Sequence, residues 1–324
     1  MRIGILTLLG AFAVAPLQAQ SALTLTRSIP LPGVEGRIDH LAIDLSGERL
    51  FVAALGNNSL EVVDLRSFSV THSIGGLSEP QGVAYIKESS KLYVANAGTG
   101  ECDVYDGSSY ALLKRISLGE DADNMHFAAA SRQLLVAAGN GLSFIDIASD
   151  TVTERVGLPG RPEGFAVEQN GWRVFSNLPS SGGRLFVVDR QRALTTGQWR
   201  VGACFPLCLD EADNLLFIGT RAPARLHVMS TEGRRVVPDI GIDGDPDDVF
   251  YDAKRSAVYL SCGAGYIDVV AQLAPERYGP VTRIPTAQGA RTSLWVPEQD
   301  RLFVAVPHRG DQKAEIRIYE PRLP

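Results

Sequence analysis

The 324-residue chain is short of most features that assign a protein to a function class. It has four cysteines, Cys102, Cys204, Cys208 and Cys262, and no C-x-x-C or Cys/His cluster of the kind that holds structural zinc. Cys204 and Cys208 stand four apart in an expected strand, where the rise per residue separates them by roughly 13 Å and forbids a disulfide between them. Buried free thiols are therefore expected at all four positions. Aromatic residues make up 7%, so no sugar-stacking platform stands out. Lys and Arg, 31 in all, are outnumbered by 37 Asp and Glu and form no basic cluster. That balance excludes nucleic acid and anionic membrane surfaces as partners. G-x-S-x-G, C-x-x-C-H, a phosphate loop and H-E-x-x-H are all absent, which removes hydrolase-elbow, haem c, nucleotide and zinc-peptidase readings.

Long apolar runs are lacking too, apart from one at the N-terminus. MRIGILTLLGAFAVAPLQAQ places Arg2 before an apolar run from Ile3 to Ala15, followed by Pro16 and Ala19. This is the three-part pattern of a secretory signal peptide, and the run is too short for a stable membrane anchor. Residues 1–19 are expected to be removed after Ala19, with Leu17 a less than ideal residue at the −3 position. No later segment approaches 18 apolar residues, and no cysteine follows the run to take a lipid. No membrane span is expected, and residues 20–324 should be periplasmic or secreted.

What is present is a repeat. RLFVAALGNNSLEVVD from Arg49, KLYVANAGTGECDVYD from Lys91 and RQLLVAAGNGLSFIDI from Arg132 are versions of one unit, with later copies from Arg173, Leu215, Ala257 and Arg301. Their apolar anchors are Leu50, Leu92, Leu134, Val174, Leu216, Val258 and Leu302, spaced 42, 42, 40, 42, 42 and 44. A period near forty built only from β-type runs predicts an all-β, seven-bladed β-propeller with four-stranded blades. The innermost strands, A, start near Asp39, Gln81, Asp123, Glu163, Phe205, Asp247 and Arg291; B is the aligned apolar run, and C its partner across a turn. Outer strands D follow at THSI (from Thr71), LKRI (Leu113), TERV (Thr153) and TRI (Thr282). The seventh C strand, near Tyr319, is followed by no D strand, whereas LTLTRSIPL from Leu23 matches one. The N-terminal strand should therefore close the last blade and leave no open inner edge.

LYVANAG from Leu92, with EPQG from Glu79 and RPEG from Arg161 before their strands, resembles the YVTN-repeat β-propeller family, with Ala95 in the Thr place. The resemblance covers every blade in period. It implies an exported propeller that binds partners or ligands, and it carries over no catalytic residue.

In a propeller the D-to-A connections and B-to-C turns share one face, around the mouth of the central channel. The A starts form a polar ring there, and the next positions are His40, Gly82, Asn124, Gly164, Pro206, Asp248 and Thr292. The B-to-C turns add Asn57, Asn96, Asn177, Arg221, His308 and Arg309. Arg37 and Arg161 are candidates for fixed positive charge toward an anionic ligand. Asp39, Asp123, Glu163 and Asp247 or Asp248, with the Asn124 carbonyl, are candidates for holding a hard divalent cation, calcium or magnesium. Such an ion would polarise a carbonyl or lower the pKa of water, with His40, His126 and His308 as candidate bases. The same carboxylates also serve as ordinary turn caps. His126 aligns with Ala42, Ala84, Ala166 and Cys208, which suits a packing residue, and the bulky ring Ile43, Tyr85, Phe127, Val167, Leu209, Tyr251 and Trp295 suits an interblade core. Two functions stay open. One is a binding module that presents Arg37, Asp39, His40, Asp123, Asn124, Arg161, Glu163, Asp247, Asp248, Arg291 and His308 to a small molecule or an extracytoplasmic protein. The other is a metal-dependent, lactonase-like hydrolase or lyase.

Overall fold

A computed structural model describes residues 22–322, so the expected signal peptide, residues 1–19, lies outside the described residues. Among those residues the strands form seven four-stranded antiparallel sheets, and no helix is long and apolar enough to cross a membrane. Blade 1 runs Leu41–Asp44 (A), Arg49–Ala54 (B), Ser59–Asp64 (C) and Ser69–Gly75 (D), each paired with the next. Blades 2 to 6 repeat the order from A strands Pro80–Ile86, Ala122–Ala128, Phe165–Val167, Cys204–Asp210 and Pro246–Asp252. Blade 7 takes A, B and C from Ser293–Val296, Arg301–Val306 and Glu315–Pro321, and its D strand is the N-terminal Leu23–Pro30, paired with the C strand from Leu23↔Pro321 to Pro30↔Glu315. The expected closure is in place.

The pattern of burial explains the repeat. A blade's B strand has sheet neighbours on both sides and other blades on both faces, so it reads as a continuous apolar run; Leu50, Phe51, Val52, Ala53 and Ala54 are all fully buried. D strands have an outer edge in water, and Thr151–Gly157 buries only Val156 of its seven residues. The core is divided into seven apolar clusters, each joining one blade to the next. Tyr85 stacks on Phe51 at 5.6 Å between centroids and Tyr251 on Phe217 at 5.1 Å, while Trp295 meets Tyr259 edge-on at 5.1 Å. These members of the aligned bulky ring are interblade core. The four thiols are free; Cys102, Cys204 and Cys262 are buried and Cys208 is half-buried.

Around the channel, neighbouring A strands nearly touch. A Cβ on Gly82 would lie 2.1 Å from the Asp123 carbonyl oxygen, and one on Gly164 2.4 Å from that of Phe205. Glycine is required at both positions by this close approach, not by backbone angle.

Candidate functional site

The chain reaches the channel mouth through D-to-A connections that turn sharply inward. Glu79, Asp121 and Asp245 have φ of 51°, 43° and 60°, a left-handed conformation that Asp tolerates better than most residues. Two residues later come Gln81, Asp123 and Asp247. Turn chemistry thus places one acid at the bend and a second at the start of the strand in blades 3 and 6.

Guanidinium groups from neighbouring positions tie these acids together. Arg161 pairs with Asp121, with Asp123 Oδ2 at 2.8 Å and with Glu163 Oε1 at 2.8 Å, bridging blades 3 and 4. Arg291 reaches back from blade 7 to Asp245 Oδ2 and Asp247 Oδ2, both at 2.8 Å. Arg221, from the B-to-C turn of blade 5, pairs with Asp245 and Asp247 while its guanidinium lies 3.7 Å from the centre of the Phe205 ring. Arg37 Nη2 donates to Asp39 Oδ2 at 2.5 Å. Between the two clusters, His40 Nε2 stands 3.8 Å from both Asp39 Oδ1 and Asp123 Oδ1, beyond hydrogen-bond reach.

Six carboxyls (Asp39, Asp121, Asp123, Glu163, Asp245, Asp247) thus share four guanidiniums (Arg37, Arg161, Arg221, Arg291), and Asp248 stands beside them. The excess shows in the titration behaviour. Burial, reinforced by Asp39, drives the Asp123 carboxyl well above the ordinary range against the pull of Arg161. Burial also raises Asp247 despite Arg291 and Arg221. Asp248 accepts the Ser293 N–H at 2.6 Å and carries no guanidinium; burial pushes it up to about 7, with Asp247 adding to the rise and His40 opposing it.

Below the mouth the channel widens. A constricted space of about 40 Å³ at the surface, bordered by Arg37, Asp39, Asp123 and Glu163, adjoins an inner cavity of about 390 Å³. His40, Asn124, Gly164 and Asp247 border both and form the neck. The inner walls mix Asp248 and His126 with Leu41, Val83, Met125 and Val249. His126 packs edge-on against Phe165 at 4.7 Å, and burial, with His40 nearby, lowers it to about 4. It is a neutral packing residue that also borders the cavity, and not a charged one.

Ten of the eleven expected site residues gather here. His308 does not: its Nδ1 pairs with Glu35 Oε2 at 2.5 Å and its N–H donates to the Gly36 carbonyl, because the long B-to-C turn of blade 7 folds outward against the segment after the clasp strand. Asn57, Asn96 and Asn177 reach the expected face but staple backbone there; Asn177 Nδ2 donates to the Phe205 and Pro206 carbonyls across the blade boundary. Arg37 and Arg161, expected to await an anion, are occupied by the carboxylates beside them. The cation set expected from Asp39, Asp123, Asn124, Glu163 and Asp247 does not assemble. Arginines hold these carboxylates in separate clusters, and among the described residues no group of three or more His, Cys, Asp or Glu side chains is arranged to hold a metal ion. Asp121, Asp245 and Arg221 complete the site, and the acid-x-acid spacing of Asp121/Asp123 and Asp245/Asp247 is the signal that marks the first two.

No family model matches the chain, and no curated protein matches it in sequence. Solved structures do match in shape, among them two that cover more than nine tenths of the chain. One, described as Kuenenia stuttgartiensis hydrazine synthase, superposes with a TM-score of 0.72 at 14% identity, covering 91% of this chain and 96% of that one. The other, from a mitotic checkpoint complex, gives 0.79 at 15% identity and covers 99% and 98%. The fold is a seven-bladed β-propeller. At such identities the likeness extends to the fold alone, and function has to be argued from the site.

Proposed function

We propose that this chain is an exported propeller of the YVTN-repeat kind, a binding module whose channel mouth takes a small organic molecule bearing a cationic amine. The carrying observation is the surplus of carboxyls over guanidiniums at a half-buried neck that adjoins a cavity of about 390 Å³ with partly apolar walls. A protonated amine at the neck would complete the charge balance among Asp39, Asp123 and Asp248, while its carbon skeleton occupies the apolar part of the cavity. Export rests on the composition of residues 1–19. N-terminal sequencing of protein recovered from the periplasm should start within a few residues of Gln20, and full-length protein in the cytoplasm would contradict it.

Calorimetric titration with choline and spermidine, set against citrate and gluconate, tests the ligand class. At least one amine should bind and the two carboxylates should not, and Asp248→Asn should weaken the amine at least about tenfold, the factor that corresponds to about 1.4 kcal/mol. Binding of the carboxylates alone, or an amine affinity untouched by Asp248→Asn, overturns the reading.

A further inference from the structure

The opposite face of the disc, where strand A turns into strand B, carries a second and larger cavity. It opens between blades 3 and 4, has a volume of about 660 Å³, and is bordered by Trp172, Gln133, Asn170, Gln191, Glu154 and Arg190. Trp172 is 53% exposed, far more than Trp295, which is 8% exposed in the core.

The exposure is not a consequence of a loose loop. Glu211 of blade 5 accepts the Gln169 and Asn170 N–H groups, one on each carboxylate oxygen, at 2.9 and 2.8 Å. The Gln169 side chain accepts the Ala129 N–H at 3.2 Å and donates to the Phe127 carbonyl at 3.1 Å, both in blade 3. Arg190 donates to the Glu168 and Gly171 carbonyls at 2.7 and 2.5 Å and to Ser131 Oγ at 2.9 Å. The turn that carries Trp172 is pinned to both neighbouring blades, so its indole is fixed where water meets it. A large apolar ring held in water by a rigid frame is pre-organised for a ligand with a flat apolar face.

The surrounding groups specify the rest of that ligand. The amide side chains of Gln133, Asn170 and Gln191 each offer both donors and an acceptor, which suits a ligand bearing hydroxyls. Glu154 and Arg190 are the one acid and one base among the bordering residues, so the cavity favours neither sign of charge. A hexopyranose ring has one C–H face and an edge of hydroxyls, and matches all three features.

We propose that the cleft between blades 3 and 4 is a binding site for a neutral oligosaccharide, with one hexopyranose ring stacked on Trp172. The site lies on the face away from the channel mouth and does not depend on the amine reading. Titration of the full chain with cellohexaose, laminarihexaose, maltohexaose and mannohexaose, followed by calorimetry and tryptophan emission, tests it. At least one sugar should bind saturably and change the emission. Trp172→Ala should weaken binding at least about tenfold, as for truncation of an aromatic anchor, Trp172→Phe should restore most of it, and Glu154→Ala on the outer strand should weaken it less. Asp248→Asn should leave sugar binding unchanged, so failure of either site is read separately. Absence of binding by all four sugars up to roughly 10 mM, weaker than any specific recognition of this size, overturns the proposal. So does sugar affinity unchanged in a folded Trp172→Ala, or binding of peptides from a casein digest in place of the sugars.

Discussion

The two ends of the channel are rich in the same residue types, Asp, Glu and Arg, yet the groups are arranged to opposite ends. On the A-to-B side the clamps of blades 1, 3 and 6 are closed, while Asp210 of blade 5, raised by burial, has only the Ala212 and Asp213 N–H groups. Asp44 accepts Ser46, Gly47 and Arg49, and the same Arg49 donates to the Gly107 carbonyl and Tyr110 of blade 2. Burial works against ionisation of Asp44, yet Arg49, Gly47 and Ser46 together hold its carboxyl below the ordinary range. Asp150 takes Lys91 and Tyr93 from the preceding blade, and Asp252 takes Arg255 and Tyr259. At the channel mouth the acids exceed their cations, and Asp123, Asp247 and Asp248 are raised instead of lowered. A carboxylate that is matched to its partners belongs to the scaffold; the surplus beside a cavity is the feature on which the proposed binding site rests.

Both faces depend on a closed ring, so the largest effect should come from opening it. Deleting Leu23–Pro30 exposes the hydrogen-bonding edge of Glu315–Pro321 and removes Leu23 and Ile29, which are 1% and 0% exposed, from two interblade clusters. The expected cost is several kcal/mol, on the order of half the stability of an ordinary domain, with aggregation through the free edge. A deletion variant that melts at the wild-type temperature and stays monomeric would show that the clasp contributes nothing.

The contrast between the faces is sharpened by removing one acid from each. Asp252→Ala leaves the buried Tyr259 hydroxyl and Arg255, which keeps only Asp300, short of their acceptor, and should cost about 3 kcal/mol in urea denaturation. Glu163→Gln removes one of three acids around Arg161 and should cost no more than about 1 kcal/mol. Equal losses would mean that the mouth carboxylates are as much scaffold as the clamps, and the surplus would have no functional meaning.

The repeat made the fold legible because interblade burial recurs with the chain period, from Leu50 to Leu302. The ring of A-start acids was legible for the same reason: backbone geometry alone decides which connections meet at the axis. Pairing was not. Whether Arg161 faces an absent anion or Asp121, Asp123 and Glu163 depends on side-chain distances across a blade boundary, which have no counterpart in spacing along the chain. His308 was misplaced because its turn is longer than the others and leaves the repeat's geometry. Trp172 was hidden by composition, since a low aromatic content says nothing about where a single ring is held.

The smallest effect, and the most specific to the mouth, concerns pH. Asp248 is pushed up to about 7 in the folded protein from an ordinary value of 3.8, chiefly by burial. The folded state therefore holds this proton more tightly than the unfolded chain does, so the stability it contributes is fully present below about pH 3.8 and is lost as the pH rises through 7. His126 acts in the other direction. Its folded value of about 4 lies below the ordinary 6.5, so its contribution is present above 6.5 and is lost as the pH falls toward 4. Asp268, raised to about 7 in the core of blade 6, adds a second component with the sign of Asp248. Wild-type profiles therefore mix these three groups with others that are shifted, Asp123, Asp247 and His227 among them, and the difference between wild type and Asp248→Asn isolates one. Urea midpoints measured from pH 4 to pH 8.5 should favour wild type most at the acid end, with the advantage shrinking through pH 7, while Asp268 and His126 cancel in the difference. Amine affinity should move the opposite way, rising through the same range as Asp248 ionises, and should be flat in Asp248→Asn. Parallel stability profiles for the two proteins would show that Asp248 is an ordinary carboxylate, and the mouth would then lose the feature that most separates it from the clamps at the other end.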